Sequence, residues 1–285
     1  MSPSTDVFLA HASESLDRLE DEDLLVEALR ADGVRAAHAV WTDDSVDWSA
    51  ARMVVVRYAF DYTQDRARFL DWARRVEATT ALHNPSNVLA WNSHKRYLGE
   101  LASEGIPIVP TLWVDARSHA DLRQIMDAHG WRDVVVKPAV DNGARHALRV
   151  SRPETDAGQR HVDAIAAHAD VMIQPFIDAT EGIGEHALVH FDGNFSHAIR
   201  KDQMLAGRPF SFDRTPLVDP HPNERALAAE ILARFDPPLL YARVDSIVVD
   251  GRAMLMELEA FEPVLFFSKA PGSAERMAAA IAGRI

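Results

Sequence analysis

The chain has 285 residues, enough for a large core divided among two or three lobes, and its 47% hydrophobic and 26% charged residues are those of a soluble globular protein. With 43 acidic against 30 basic residues it carries a net charge of −13, and no Lys/Arg cluster or basic–aromatic interleaving offsets it, so neither nucleic acid nor an anionic membrane is an expected partner. There is no Cys, which excludes disulfides, thiolate metal sites and a Cys nucleophile and fits a cytoplasmic setting.

The N-terminal stretch "MSPSTDVFLAHASESLDRLEDEDLL" lacks a basic start and a long apolar run, so no secretory leader is expected, and no segment is apolar for the length of a bilayer. "DVFLA" reads as a short strand. "DEDLLVEALRADG" has helical spacing, with Leu24, Leu25, Ala28 and Leu29 on one side and Gly33 as a stop. "VRAAHAV" and "MVVVR" are strands parted by a polar loop with Asp43, Asp44 and Asp47, and "TQDRARFLDWARRVEA" is a helix. Strand and helix alternate as in βαβ units, which predicts a parallel sheet covered by helices.

A new unit opens at Asn84-Pro85, and its helix ends before Gly105 and Pro107. "HADLRQIMDAHG" is a helix, "DVVVKPA" a strand, and "NGARHALRV" a glycine-containing loop running into a strand; a helix follows near Asp156 to His168. From Val171 the strands lengthen: "VMIQPFI", then "EHALVHFDGNFSHAIRK" around Asp192-Gly193, then "YARVDSIVVDGRAMLMELEAFEP" around Asp250-Gly251. "NERALAAEILARF" and "SAERMAAAIAGRI" are amphipathic helices. The fold class is α/β followed by α+β, an N-terminal α/β lobe and two α+β lobes.

The last hairpin holds four charges: Arg243 and Asp245 on its first strand, Glu257 and Glu259 on its second. A two-residue turn with regular pairing sets Val249 opposite Arg252 and Asp245 beside Met256, mixing charge with core on both faces. An odd loop or one bulge puts all four charges on one face and leaves Val244, Val248, Met254, Met256 and Leu258 as an apolar face. Hydrophobic consistency therefore selects the second register. Such a face is either a solvated salt-bridge surface or, with oxygen-only ligands, a site for a divalent cation of the Mg²⁺ kind.

Lys is scarce, so each one in a structured segment draws attention. Lys137 ends "DVVVK", Lys95 opens "KRYLGEL", and Lys201 ends "FSHAIRK". Lys137 could snorkel or hold a nucleotide phosphate as a point charge, and Lys95 could be an ordinary surface group. The lone glycine of "DNGARH" is a weak phosphate-loop signal. No P-loop pattern is present, and "GIGEHA" lies outside a βα turn. His186 and His190 in "HALVH" are four apart on a strand, where core-edge placement is commoner than zinc ligation.

The order "WNSHKRYL", "VVKPAVDNGARH", "MIQPFI", "EGIGEHALVHFDGNFSHAIRK", "YARVDSIVVDGRAMLMELEAFEP" resembles the ATP-grasp superfamily, nearest to its glutathione-synthetase-like branch, from about Asn84 to Phe267. The resemblance implies an ATP-grasp fold with a substrate-side domain at 1–92, a central lobe at 93–172 and a C-terminal lobe at 173–285 that carries the metal site. It implies that Lys95, Lys137 and Lys201 serve the nucleotide phosphates, with Gly143, Ala144 and Arg145 in the loop that covers them. Gln174, Pro175, Phe176 and Ile177 would form the adenine hinge. Glu185 would hold the ribose, with Glu181 competing. Asp245, Glu257 and Glu259 would hold Mg²⁺, two ions in all, and Arg243 would stabilise the phosphoryl group in transfer. Glu259 stands where many relatives have Asn, and Gln174 where the hinge often starts with Glu.

Those parts imply an ADP-forming ligase that activates a carboxylate as an acyl phosphate for attack by an amine-type nitrogen. The partner is then a small-molecule carboxylate, and the protein a monomer or homodimer. For its pocket, Arg57 at a strand end is a candidate carboxylate holder, with Tyr58, Asp61 and Tyr62 shaping an amino-acid site; the competing reading is a helix-capping Asp61 and two packing aromatics. The short chain and its "MELEAFEP" ending are similar to the small cycloserine-forming ligases of antibiotic pathways, which close the ring of O-ureido-D-serine. An intermolecular amide ligase and a nucleotide-binding regulator without turnover are the alternatives.

Overall fold

The structure, a computed structural model, describes residues 5–13, 20–178, 184–201 and 212–285. Its first unit is a parallel sheet of β1 (Val7–His11), β2 (Ala36–Val40), β3 (Met53–Val56) and β4 (Ala81–His83) in the order β2-β1-β3-β4. The central strands β1 and β3 are buried, as befits a sheet covered on both sides. On one face, α1 (Glu20–Ala31) packs Leu25 and Leu29 against Val7, Leu9, Met53 and Val55. On the other, α2 (Arg66–Glu77) and α3 (Ser86–Asn92) bury Phe69, Trp72 and Leu89 against Val54 and Val56. Asp65, not Asp61, caps α2 by accepting the Arg68 N–H at 3.0 Å.

α4 (Tyr97–Ser103) leads to the second sheet: β5 (Leu112–Val114), β6 (Asp133–Pro138), β7 (Leu148–Ser151) and β8 (Val171–Pro175), antiparallel in the order β5-β8-β6-β7. Here the period of two sorts the side chains. Val134 and Val136 enter the core under α5 (Leu122–Ala128) and α6 (Thr155–Ala166), while Val135 and Lys137 take the opposite face, cross-strand from Gln174 and Met172. At Gly158, α6 comes so close to β7 that a Cβ would lie 2.5 Å from Val150 Cγ1.

The third sheet is antiparallel, β9 (Glu185–Phe191), β10 (Asn194–Arg200), β11 (Leu217–Val218), β12 (Tyr241–Val249) and β13 (Arg252–Glu259), in the order β11-β10-β9-β12-β13. One face packs on α7 (Pro222–Leu232) and α4 through Leu188, Val244, Leu255, Leu258, Leu227, Ile231 and Leu98. The helix α8 (Ser273–Ala282) runs back to α1, placing Met277 and Ile281 in the core of the first unit. Among the described residues no helix is long and apolar enough to cross a membrane.

The outer edge of β13 would be a row of unpaired peptide groups. It is covered by the segment that follows β4. Leu255 N–H donates to Pro107 O (2.8 Å) and Leu255 O accepts from Val109 N–H (3.0 Å). The Tyr97 hydroxyl donates to Leu258 O and accepts the Leu258 N–H, at 3.0 and 2.8 Å. Asn92 donates to Leu258 O at 2.8 Å and accepts the Ala260 N–H at 2.9 Å. Asn84 donates to Tyr241 O at 2.9 Å and accepts the Leu240 N–H at 2.8 Å. The strand carrying Glu257 and Glu259 is thus tied at Leu255, Leu258 and the following Ala260, while Asn84 ties the start of β12.

Candidate active site

β12 and β13 meet through a two-residue turn, Asp250 and Gly251, both with positive φ (50° and 74°), as a tight hairpin of this hand requires. Pairing runs regularly from Val249↔Arg252 to Ser246↔Leu255, then slips by one residue at Met256, so Asp245 faces Glu257 and Arg243 faces Glu259. The bulge therefore places all four charges on one face, as expected. The apolar face differs from expectation: Ala253 and Leu255, not Met254 and Met256, join Val244 and Leu258 in the core. The slip comes late in β13, so residues before it have the opposite parity to residues after it.

On the charged face every carboxylate meets a cation. The Arg243 guanidinium forks onto Asp245 at 2.8 and 2.9 Å and also donates to Glu259. Lys201 bridges Glu185 and Asp245, 2.7 Å from each. Lys95 holds Glu257 at 2.8 Å and donates to the Asp141 carbonyl. Burial pushes the Asp245 carboxyl up, but Arg243 and Lys201 outweigh it and hold it at about 2. At Glu259 burial wins and raises the carboxyl to about 7, with Asp245 and Glu257 adding to it against the pull of Arg243.

Lys137 is the exception. It projects from β6 toward Glu257, Glu185, Lys95 and Lys201, yet it has no hydrogen bond or ion pair with any described residue, and burial lowers its pKa. The loop between β6 and β7 is anchored at its base and open at its tip. Asp141 accepts the His146 N–H at 3.2 Å, and the Asn142 amide donates to Phe60 O at 2.7 Å. Gly143 and Ala144 both have positive φ, with Gly143 exposed and Arg145 exposed beside it. Gln174 is buried, donating to the Thr111 hydroxyl at 2.8 Å. After Pro175, the Phe176 N–H is committed to Asp133 O, and its ring lies under Arg149, 3.8 Å from guanidinium carbon to centroid; Ile177 is half-buried beyond it.

The N-terminal candidates separate. Arg57 is not available to a substrate carboxylate: it is fully buried under α1, where its Nη2 lies 2.7 Å from Glu22, and it is sandwiched between Tyr58 and Tyr241. A lone arginine would not survive there, and Glu22 supplies the counter-charge. Tyr58 is buried beside it. Asp61 accepts the Trp41 indole N–H at 2.6 Å. Tyr62 packs against Phe261 and Phe69, with its hydroxyl facing Glu262. Glu181 lies outside the described residues. His186 serves α7 rather than a metal: its Nδ1 is 2.8 Å from buried Glu224, which also accepts from Ser246 and caps the helix.

Two groups of residues escaped the sequence reading. Asn84, Asn92 and Tyr97 brace the β13 edge; their signal was polar side chains in a segment that packs into a core. Glu262, directly after the hairpin, is buried where all three units meet, and Asn142 donates to it at 3.1 Å.

For Mg²⁺, the donor chemistry fits: Asp245, Glu257 and Glu259 supply only oxygen, from one sheet face. As they stand, each carboxylate is turned toward Lys or Arg, and among the described residues no three His, Asp or Glu converge as a ready-made metal cluster.

The chain superimposes on the crystal structure of the ATP-bound D-alanine–D-alanine ligase of Bacillus anthracis with a TM-score of 0.71 over 98% of this chain and 96% of that one, at 16% identity. The fold is that of the ATP-grasp ligases. Residues 7–84 match the family model of the N-terminal domain of D-cycloserine synthetase DcsG. The cycloserine biosynthesis protein DcsG of Streptomyces lavendulae is 34% identical over 278 residues, 92% of each chain. The crystal structure of D-cycloserine synthetase DcsG superimposes with a TM-score of 0.91 at 33% identity over 98% of this chain and 99% of that one. Within the ATP-grasp ligases, the chain belongs to the D-cycloserine synthetase family.

Proposed function

We propose that this enzyme closes the ring of O-ureido-D-serine to form D-cycloserine, using ATP to activate the carboxylate of a substrate that also carries the attacking nitrogen. The observation that carries the reading is the full-length likeness to D-cycloserine synthetase, in sequence and in fold together. In this reading the γ-phosphoryl group passes to the substrate carboxylate, giving ADP and an acyl phosphate. The ureido nitrogen bonded to oxygen then attacks the carbonyl carbon, losing its proton as phosphate leaves, and water removes the carbamoyl group from that nitrogen as CO2 and NH3 to give D-cycloserine, so no protein nucleophile is needed.

The residues divide the work accordingly. Lys137, uncommitted among the described residues, binds phosphate as a point charge, flanked by Lys95 and Lys201. Gly143, Ala144 and Arg145 close over the phosphates, Gln174 to Ile177 line the adenine, and Glu185 or Glu181 takes the ribose. Asp245, Glu257 and Glu259 would hold two Mg²⁺ ions, which when bound neutralise the phosphate oxygens. Arg243, carried two residues before Asp245 on the same face, stabilises charge at the group in transfer. The three units then act as 1–92 on the substrate side and 93–172 and 173–285 around ATP.

ADP release measured with O-ureido-D-serine as the only organic acceptor tests the reading. Turnover without any second amine, with D-cycloserine as product, is expected. ADP release that appears only when a separate amine is added would reassign the enzyme to intermolecular ligation.

A further inference from the structure

We propose that Glu262 recognises the α-ammonium group of the substrate and so makes the enzyme selective for an amino acid over a plain carboxylic acid. The assignment rests on the amino-acid substrate class given above, but not on the ureido group. Of the carboxylates in the cleft, Asp245 has Arg243 and Lys201, Glu257 has Lys95, Glu259 has Arg243, and Glu185 has Lys201, all within ion-pair distance. Glu262 has no such cation among the described residues, although it is only 6% exposed. The groups within hydrogen-bond reach of it are neutral, the Asn142 amide, donating at 3.1 Å, and the Tyr62 hydroxyl, while the Glu259 carboxyl repels its charge from farther off. Lys95 contributes at a distance, its ammonium already held by Glu257 and the Asp141 carbonyl. A buried carboxyl group without a counter-charge costs stability unless a ligand supplies one.

Its position fits that ligand. Glu262 lies three residues beyond Glu259, so it stands next to the face where the carboxylate is phosphorylated. In an α-amino acid the ammonium and carboxylate share one carbon, so their binding groups must be neighbours. The surrounding parts come from every unit: Tyr62 and the Phe60 carbonyl from the first, Asn142 from the phosphate loop, and Phe261 seated among Tyr62 and Phe69. Asn142 joins Phe60 O to Glu262 and ties the loop that covers ATP to the amino-acid pocket. A site built to pair a charged group rejects the analogue lacking it, because its own buried partner is then left alone.

The test compares wild type with Glu262→Gln, scoring ADP release with O-ureido-D-serine and with the same acid lacking its α-amine. A panel of other amino acids, each beside its des-amino partner, is run in parallel. Wild type is expected to favour the amino acid by roughly 30-fold or more in kcat/KM, the scale for losing one partner of a buried charge pair. Glu262→Gln is expected to lose most of that preference with KM for ATP unchanged and its melting temperature equal or higher. An unchanged preference in the folded variant overturns the proposal. If Glu262→Gln is not recovered folded, Glu262→Met, which also lacks the charge, takes its place, and a wild-type preference in that variant likewise counts against it. Should O-ureido-D-serine fail while another amino acid shows the Glu262-dependent preference, the substrate reading falls and Glu262 stands. If no amino acid stimulates ADP release from wild type, both fall.

Discussion

Lys137 and Arg243 are both cations of the cleft, and their surroundings assign them different work. Lys137 has no protein partner among the described residues, so its removal strands no carboxylate. Lys137→Ala is expected to keep the fold and weaken ATP binding by about 1.5–3 kcal/mol, the scale of a hydrogen bond to a charged group, as read by calorimetry; an unchanged affinity removes it from the phosphate site. Arg243 is already spoken for by Asp245 and Glu259, which makes a purely structural role the serious competitor. Arg243→Lys keeps the charge but loses the planar fork. It is expected to bind Mg-ATP nearly normally and slow the chemical step by about 10²–10³. Phosphate release at the normal rate in pre-steady-state mixing would leave Arg243 as an ion-pair partner alone. Residue types and spacing made these cations and the three carboxylates legible in the sequence. The buried ion pair of Arg57 is not legible there, because a strand end says nothing of what lies above it. Its partner Glu22 comes from α1, 35 positions away. Glu262 was passed over for the same reason, since Asn142 is 120 positions distant.

At the scale of elements, alternation and turn chemistry carried most of the information. The period of two located β12 and β13, Asp250-Gly251 located the turn, and the cost of mixing charge with core demanded a bulge. Where the bulge falls depends on packing against α7 and α4, which no local pattern encodes, so Met254 and Met256 were given the wrong parity. The brace on β13 was also invisible, because Asn84, Asn92 and Tyr97 act through main-chain atoms over 150 positions away. A glycine inside a helix is the remaining local signal. Helix propensity alone predicts that Gly158→Ala stabilises α6 by about 1 kcal/mol. The structure predicts the opposite: the new methyl would stand 2.5 Å from Val150 Cγ1 and 2.7 Å from Leu122 Cδ2, within the core of the second unit. Overpacking of that kind costs about 1–3 kcal/mol. Urea denaturation of Gly158→Ala should therefore show a lower midpoint than wild type; a raised midpoint would mean that α6 can move off β7 freely.

For the whole molecule, two buried histidines of the third sheet couple stability to pH. His197 is neutral in the fold: Nε2 lies 2.8 Å from Leu265 O and Nδ1 2.9 Å from the Ser196 hydroxyl, an arrangement that suits the tautomer protonated at Nε2. Burial lowers its pKa to about 4, with Arg276 adding to the shift and Asp21 opposing it. His190, buried on the opposite face against the Leu188 carbonyl, is likewise lowered to about 4, chiefly by burial. An unfolded imidazole takes its proton near 6.5, so between there and 4 the unfolded chain binds more protons than the folded one. Stability must fall as pH falls through that window and level off below it, by up to about 3 kcal/mol for each ring. Glu259 acts with the opposite sign, because a carboxyl group raised to about 7 gains its proton in the fold first and stabilises on acidification. The raw pH curve therefore sums opposing contributions, whereas the difference between wild type and His197→Gln isolates one. At pH 7.5 the variant should be the less stable, having lost a fitted ring. Between pH 6.5 and 4.5 the gap should narrow steadily, since only wild type must keep an imidazole from its proton. Urea midpoints measured across that range decide it, and a gap that stays constant with pH would show that His197 can be protonated in place.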